Sequence, residues 1–134
     1  MDEPQPITIP SNLEECFEQL NKLLRPEDIL AIKLGKLETS EEDGDGFFGY
    51  LLHMQLGMWL RNNWGLWNGS NLRDWFNEKD IWHADDMSGI ILDSFKRRLN
   101  HEPILLEEQI VRYQKHWKEQ GVDVKADALK ARNA

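Results

Sequence analysis

Residues 56–70 read Leu-Gly-Met-Trp-Leu-Arg-Asn-Asn-Trp-Gly-Leu-Trp-Asn-Gly-Ser, and this stretch decides the predicted fold. Its first half continues an apolar pattern of helical spacing, whereas Gly65 is typical of the position just past a helix end. Asn68 and Gly69 favour a turn, and Ser70 favours the start of another helix. One short segment is therefore predicted to end a helix, turn the chain and begin the next helix.

Upstream of this turn, a third helix is predicted from Phe47 to about Asn63. Its apolar residues recur three and four positions apart, which indicates a largely buried helix. They are Phe48, Leu51, Leu52, Leu56, Trp59 and Leu60. Gly57 lies inside this helix, where glycine costs about 1 kcal/mol relative to alanine, so it favours close approach of another helix.

Similar signals place the other helices. Ser11 and Glu14 have the spacing of a capping box and predict a first helix over 12–24. Pro26 favours the start of a second helix, which Gly35 ends. Further along, the predicted elements are a short fourth helix after Ser70, a fifth over 83–99 and a sixth from about 106 to Gly121.

These elements predict an all-α fold, a single compact bundle of five to six helices. The third and fifth helices are expected to cross near Gly57 and Gly89. Residues 1–10 are predicted to be an N-terminal extension and residues 11–122 the helical domain. Residues 123–134 are predicted to be a C-terminal tail, either a loose helix or flexible, because large apolar groups are few there.

Charge is segregated along the chain. The formal net charge is −8, and residues 1–46 hold twelve acidic against four basic side chains, whereas residues 47–134 hold twelve of each. A negative field repels phosphate backbones, so direct nucleic-acid binding is disfavoured despite the basic run at 96–98. A basic protein is the favoured partner. The acids expected to bind it are Glu14, Glu15, Glu18, Glu27, Asp28, Glu41, Glu42 and Asp43.

Cysteine usage and hydropathy predict the compartment. Cys16 is the only cysteine, which excludes an intramolecular disulfide and favours a reducing environment. The acidic, proline-bearing residues 1–6 do not have the pattern of a secretory signal, and no apolar run approaches the roughly 20 residues that span a bilayer. We therefore expect a cytoplasmic protein without membrane contact or cofactor.

Motifs for metal binding and catalysis are weak. The acidic segment 40–46 lacks the alternating ligands and terminal glutamate of an EF-hand. His83, Asp85 and Asp86 are candidates for an acid–base or metal site, but the helix dipole alone favours acids at a helix start. Ser88 lacks the strand and paired glycines of a nucleophile elbow. We expect no metal site and no enzymatic activity.

A polar cluster beside the tryptophan-rich stretch is a candidate for internal scaffolding or for a ligand site. Because buried polar groups must find partners, we expect Arg61 to pair with Asp85 or Asp86. The neighbouring asparagine amides are expected to tie the 64–70 turn to the fifth helix, and scaffolding is favoured. The cluster consists of Arg61, Asn62, Asn63, Trp64, Trp67, Asp85 and Asp86.

The six tryptophans form two groups. The first follows the apolar periodicity, is expected in the core, and consists of Trp59, Trp75 and Trp117. The second lies in predicted turns and consists of Trp64, Trp67 and Trp82. Rigid aromatic rings in turns can be binding anchors, although core burial is favoured for these three as well.

Two segments of the chain resemble a known family. Residues 57–67, Gly-Met-Trp-Leu-Arg-Asn-Asn-Trp-Gly-Leu-Trp, and residues 85–92, Asp-Asp-Met-Ser-Gly-Ile-Ile-Leu, are similar to a small bacterial domain of unknown function. The likeness extends to residues 13–28 and 107–117, whereas Ala84 stands where the family is expected to favour proline. The resemblance implies a compact bacterial domain and no assigned activity.

Composition and charge favour a non-catalytic, acidic protein-binding module, most concretely an immunity-type protein that neutralises a basic toxin or nuclease. The alternative is a small-ligand-binding or catalytic domain with a tryptophan-walled pocket. That pocket would be formed by Trp64, Trp67, Trp82, Arg61, Asn62, Asp85 and Asp86. A third prediction is a self-associating module that uses the exposed side of the sixth helix.

Overall fold

The computed structural model describes residues 8–35 and 44–133, and for residues 44–53 it describes only the helical backbone. Every regular element in these ranges is a helix, which confirms the all-α class. The helices are α1 (Leu13–Leu23), α2 (Pro26–Lys33), α3 (Gly44–Asn63), α4 (Asn71–Glu78), α5 (Ala84–Leu99), α6 (Leu106–Glu119) and α7 (Val124–Arg132). The described part thus has seven helices rather than five or six, because the predicted tail forms α7.

The capping interaction of α1 differs from the predicted one by one residue. Asn12 is the N-cap, and its side-chain oxygen accepts a hydrogen bond from the Glu15 backbone N–H at 2.9 Å. The Glu15 carboxylate accepts from the Ser11 backbone N–H at 3.3 Å. The capping pair is therefore Asn12 with Glu15 instead of Ser11 with Glu14, because an asparagine oxygen caps a helix as well as a hydroxyl does.

Helix α3 begins at Gly44, three residues before the predicted start at Phe47. Residues 36–43 lie outside the described residues, and they include positions 40–43 of the acidic segment 40–46. The C-terminal half of α3 carries Leu56 and Leu60 into the core. No helix in the described ranges, α3 included, is both long and apolar enough to cross a bilayer.

Helix α5 is the centre of the bundle and packs against α1, α2, α3, α4 and α6. Small side chains at Ala84, Ser88 and Ser94 let neighbouring helices approach, and long apolar side chains fill the space between them. The buried residues of α5 are Ala84, Asp86, Met87, Ser88, Ile90, Ile91, Leu92, Ser94 and Phe95. A helix surrounded in this way is buried on several faces, which explains why its buried residues are not confined to one stripe.

Two glycines mark two different helix contacts. A Cβ added at Gly57 would lie 3.9 Å from the Ser88 hydroxyl oxygen, so Gly57 faces α5 as predicted. A Cβ added at Gly89 would lie 2.5 Å from the Tyr113 hydroxyl oxygen of α6. The prediction that Gly89 lies at the α3–α5 crossing was wrong, because successive residues of a helix point about 100° apart and Gly89 therefore faces a different neighbour.

The turn between α3 and α4 depends on one glycine and one hydroxyl. Gly65 has a φ of +69°, and a Cβ there would lie 2.6 Å from the Gly69 carbonyl oxygen. The Ser70 hydroxyl donates to the Trp64 carbonyl at 2.8 Å and accepts from the Arg73 backbone N–H at 3.1 Å. The helix end at Gly65 and the N-cap at Ser70 are therefore confirmed.

The last two helices are attached differently. On α6, the buried Gln109 amide donates to the Ser94 hydroxyl at 3.1 Å and to the Ile104 carbonyl at 2.8 Å. Helix α7 has no buried residue. At its last residue, Arg132 donates to the Asn77 side-chain oxygen at 2.7 Å. Polar contacts thus contribute much of the attachment of α7, whereas α6 is also held through the core.

Candidate functional site

Arg61 connects the end of α3 to the start of α5. Its Nε lies 3.2 Å from Asp85 Oδ1, and its Nη1 donates to the Ser88 hydroxyl at 2.9 Å. That hydroxyl donates onward to the Asp85 carbonyl at 3.0 Å. The expected ion pair is therefore present with Asp85 as the partner, and we call Arg61, Asp85 and Ser88 the Arg61 cluster.

The two asparagines after Arg61 do not tie the turn to α5 as predicted. The Asn63 amide donates to the Trp59 carbonyl one turn back on α3, at 2.9 Å. Asn62 is exposed. The turn is instead held from α4, where Arg73 Nη1 donates to the Trp67 carbonyl at 3.0 Å. The prediction was wrong because a side-chain amide at a helix end reaches its own backbone more easily than a neighbouring element.

The tryptophans of the stretch have contrasting environments. Trp64 is fully buried and meets the Trp59 ring edge-on, with centroids 6.0 Å apart. Trp67 is 51% exposed, and Trp82 is half-buried. Core burial was therefore correct for Trp64 and wrong for Trp67. Trp64 lies in the core, and the alternative of a ligand pocket near this stretch stays a prediction.

A cavity of about 680 Å³ lies beside the 64–70 turn, and we call it the aromatic cavity. Residues of the turn, of the segment before α5 and of α6 and α7 line it. Its ring-bearing residues are Trp67, Trp82, His83 and Trp117, and its charged ones are Arg73, Asp127 and Arg132. The volume is within the range of pockets that hold small organic molecules.

Three rings of this cavity form a continuous row. The His83 ring stacks on Trp117 with centroids 5.5 Å apart and planes 18° apart, and Trp67 meets His83 edge-on at 5.9 Å. His83 Nδ1 accepts from the Asp85 backbone N–H at 3.0 Å, as the N-cap of α5. The Trp117 indole N–H donates to the Asp86 carboxylate at 2.7 Å. The rings of His83 and Trp117 are therefore held in place by hydrogen bonds.

Asp86 connects the row of rings to a second cavity of about 500 Å³, which shares Trp82 and Trp117 with the first. Burial raises the pKa of Asp86 above its ordinary value, while the hydrogen bond from Trp117 opposes that rise. Burial also raises the pKa of Tyr113, and the negative charge of Asp86 adds to the effect. The protonation of Asp86 is thus coupled to its contacts with α6.

Two arginines from different helices line the aromatic cavity. Arg73 belongs to α4, and Arg132 is the last residue of α7. The Arg132 guanidinium lies over the Trp82 ring, with Cζ 5.3 Å from the centroid. Burial and the positive charge of Arg73 lower the pKa of Arg132, and Asp74 opposes this shift. The tertiary structure therefore brings two cations close together at an aromatic wall.

Three of the eight acids predicted to bind a partner pair with an arginine of the same chain. Glu14 accepts from Arg98 Nη1 at 3.0 Å, and this interaction lowers the pKa of Glu14. Asp28 and Glu27 lie 3.0 Å and 3.5 Å from Arg25. The other predicted acids are Glu15, which caps α1, Glu18, which is exposed, and Glu41, Glu42 and Asp43, which lie outside the described residues.

The other residues considered for catalysis or metal binding are Cys16, His83 and Asp85, and their contacts serve the fold. Cys16 is fully buried, and burial raises its pKa far above the ordinary range, which disfavours the thiolate. Among the side chains that the structure describes, in residues 8–35 and 54–133, no three His, Cys, Asp or Glu are grouped to hold a metal ion. His83 and Asp85 approach to 3.9 Å, but both take part in the start of α5.

Sequence reasoning missed Arg73 and Arg132 and misplaced Trp117, which lines the cavity instead of the core. Arg73 follows the N-cap Ser70 by three residues, a spacing that places it on the same helix face as the turn. That spacing was a usable signal. No sequence pattern pointed to Arg132. Its helix α7 is short and has no buried residue, and its contact with Asn77 of α4 joins residues that are far apart in the chain.

Fold and cavity together define an all-helical protein with an aromatic, arginine-lined cavity beside an internal polar cluster. Residues 9–99 match the family model described as Domain of unknown function (DUF6794), and the chain belongs to that family, in agreement with the resemblance of its two motifs. No curated protein and no solved structure matches the chain. The family match covers α1 to α5, whereas Trp117 and Arg132 come from the helices that follow it.

Proposed function

We propose that this protein binds a small organic molecule with a flat ring in the aromatic cavity. The observation that carries the proposal is the row formed by Trp67, His83 and Trp117 along a cavity of about 680 Å³. Aromatic walls combined with a few polar groups are typical of small-molecule sites. The proposal keeps the small-ligand alternative but moves the site away from the Arg61 cluster.

The exposure of Trp67 supports a binding role. Its indole is 51% exposed, whereas Trp64, three residues earlier, is completely closed off from solvent. Burial of apolar surface stabilises by about 25 cal/mol per Å². A ring that covers Trp67 would therefore gain binding free energy from surface that the folded protein alone leaves in water.

The fixed orientation of the His83 and Trp117 rings supports the same role. His83 is held by its capping hydrogen bond and Trp117 by its hydrogen bond to Asp86. A ligand therefore meets rings that are already oriented, and it loses less binding free energy to ordering side chains. The Asp85 backbone N–H and the Asp86 carboxylate would thus contribute to ligand binding by orienting these two rings.

The geometry gives less support to an acidic, immunity-type function. Glu14, Glu27 and Asp28 each lie beside an arginine of the same chain, which reduces the field that they present to a basic partner. That function and the lack of enzymatic activity stay predictions. Capture of a basic protein that weakens steeply with added salt would favour the immunity-type function.

NMR titration with 2-naphthamide and adenosine, two neutral flat molecules, tests the proposal. We expect saturable shifts of the indole N–H signals of Trp67, Trp82 and Trp117. The signal of Trp64 should stay unchanged, because this residue is in the core. Trp67→Ala should weaken binding about tenfold, which corresponds to roughly 1.4 kcal/mol, because it removes one ring of the row.

Trp75→Phe is the matched control for this titration. Trp75 packs edge-on against Phe76, with centroids 5.0 Å apart, and does not line the aromatic cavity. Circular dichroism shows whether both variants are folded. The proposal is overturned if Trp75→Phe weakens binding as much as Trp67→Ala does. It is also overturned if no flat molecule, neutral or charged, gives a saturable shift.

A further inference from the structure

We propose that the ligand carries an oxyanion, which Arg73 and Arg132 bind at the wall of the aromatic cavity. This inference rests on the proposed function and names the class of ligand: a flat ring that bears a carboxylate or a phosphate. Arg73 is contributed by α4 and Arg132 by α7, and both line the same cavity as the row of rings. One molecule can therefore contact the rings and both cations.

The hydrogen bonds of these two arginines are directed to neutral oxygens. Arg73 Nη1 donates to the Trp67 carbonyl at 3.0 Å, and Arg132 Nη2 donates to the Asn77 side-chain oxygen at 2.7 Å. The Arg73 Nε atom is buried and has no hydrogen-bond partner among the described residues. A guanidinium has five N–H donors, so most of the donors of this pair are not used by the protein.

The charge balance at the cavity favours an anion. Neither Arg73 nor Arg132 forms an ion pair within the described ranges, although Asp127 also lines the cavity and Asp74 influences Arg132. The lowered pKa of Arg132, caused by burial and by Arg73, indicates that the two positive charges repel each other. An oxyanion between them would relieve this repulsion.

The positions of the two guanidiniums are set by the rest of the site. Arg132 lies over the Trp82 ring, with Cζ 5.3 Å from the centroid. Arg73 packs over Gly69, where a Cβ would lie 2.9 Å from Nη2, so the bare glycine makes room for it. The planar guanidinium matches the geometry of carboxylate and phosphate oxygens, which bind it through two parallel hydrogen bonds. Both groups are thus oriented before a ligand arrives.

Matched pairs of ligands test the inference. 2-Naphthoate and 2-naphthamide share one flat ring and differ in charge, as do adenosine monophosphate and adenosine. At 50 mM salt we expect at least one anion to bind tenfold or more tightly than its neutral partner. The pair with the larger preference shows whether the oxyanion is a carboxylate or a phosphate. Equal affinities within both pairs would overturn the inference and leave the proposed function standing, whereas lack of binding by all four molecules would overturn both.

Substitutions of the two arginines connect the preference to these residues. Arg132→Gln should reduce the preference for the anion to threefold or less while neutral binding is retained, and Arg73→Gln should do the same. Arg132 lies at the end of a helix without buried residues, so this variant is expected to fold. Arg97→Gln is the control, because Arg97 pairs with Asp93 at 3.2 Å outside this cavity. A preference that survives in the double variant, or that Arg97→Gln removes, would contradict the assignment.

Discussion

The Arg61 cluster and the arginine pair of the aromatic cavity use the same side chain in two different ways. Arg61 has a carboxylate at 3.2 Å and a hydroxyl at 2.9 Å, both from the start of α5. Arg73 and Arg132 line one cavity, and each donates to a neutral oxygen only. The first arrangement completes its own interactions, whereas the second keeps donors available.

A structural cluster and a binding site thus differ in whether the arginine has an acidic partner within the chain. A buried cation that is paired within the chain contributes to the association of two helices, and its loss leaves a partner without a hydrogen bond. A cation without an acidic partner donates to neutral oxygens of the fold, and its unused donors favour an anion from solution. The turn over residues 64–70 joins the two regions, since Trp64 faces the core and Trp67 the cavity.

The largest expected effect comes from Gly65→Ala, which breaks the turn that joins the two regions. An alanine there would have a φ of +69° and a Cβ 2.6 Å from the Gly69 carbonyl oxygen. We expect a loss of about 3 kcal/mol in the free energy of unfolding, measured in urea, because the left-handed backbone costs roughly 1–2 kcal/mol and the turn must also shift. Ligand binding should weaken as Trp67 moves.

Gly121→Ala is the control for the strained backbone. Gly121 also has a φ of +69°, but a Cβ there meets nothing within 4 Å. Its expected loss is about 1 kcal/mol, from the backbone conformation alone. Equal losses for the two glycines would mean that the close contact at Gly65 has no role in the turn.

A comparison of Arg61→Met with Arg73→Met sharpens the difference between the two regions. Arg61→Met should lower the free energy of unfolding by about 1.5 kcal/mol, because the buried Ser88 hydroxyl loses the guanidinium that donates to it. Arg73→Met should lower it by less, about 0.5 kcal/mol, because it removes the exposed hydrogen bond to the Trp67 carbonyl but no ion pair. Urea unfolding measures both.

The opposite ranking of these two variants would reverse the assignment of scaffold and site. Unchanged stability of Arg61→Met would show that the Arg61 cluster does not hold α3 to α5. A large loss for Arg73→Met would show that the cavity arginine supports the fold. Either result would contradict the assignment of Arg61 to the fold and of Arg73 to ligand binding.

The smallest expected effect is the pH dependence contributed by Asp86. Burial raises the pKa of Asp86 in the folded protein above its ordinary value of 3.8, so the folded state binds this proton more tightly than the unfolded state does. As pH rises from 3.8 through the higher folded value, the wild type should lose stability relative to Asp86→Asn. Unfolding in urea at a series of pH values measures the difference.

Glu14→Gln provides a control of opposite sign. Arg98 lowers the pKa of Glu14 below its ordinary value of 4.5, so the stabilisation is present above that value and is lost as pH falls through the lower folded value. The wild type should therefore gain stability relative to Glu14→Gln as pH rises. Differences of the same sign for the two variants would contradict the assigned surroundings of one of these carboxyls.

Much of the fold could be predicted from local sequence. The spacing of apolar residues predicted α1, α3, α5 and α6, and Gly65 and Ser70 predicted the turn, because helix ends depend on backbone groups within a few residues. The pairing of Arg61 with Asp85 followed from the need of a partly buried cation for a partner. Each of these features depends on rules that act over short range or on the pairing of polar groups that the fold partly covers.

The errors occurred where the choice depended on a neighbouring helix. Gly89 was assigned to the wrong contact because periodicity identifies a buried face without identifying the helix that covers it. The acids at 14, 27 and 28 were expected to face a partner, but Arg98 and Arg25 pair with them. Arg25 is itself part of residues 1–46, so only Arg98, which pairs with Glu14, brings a positive charge to the acidic segment from elsewhere in the chain, and composition cannot reveal this.

The helices, the turn over residues 64–70 and the membership of the family could be predicted from the chain's residues alone, because they depend on the order and type of nearby residues. The packing of the helices was needed to show that Trp67 borders a cavity and that Arg73 and Arg132 lie together. Those positions are separated along the chain, and the packing of α4, α6 and α7 brings them to one place. The physical reason is that a site depends on distances between side chains, which the packing of the helices sets.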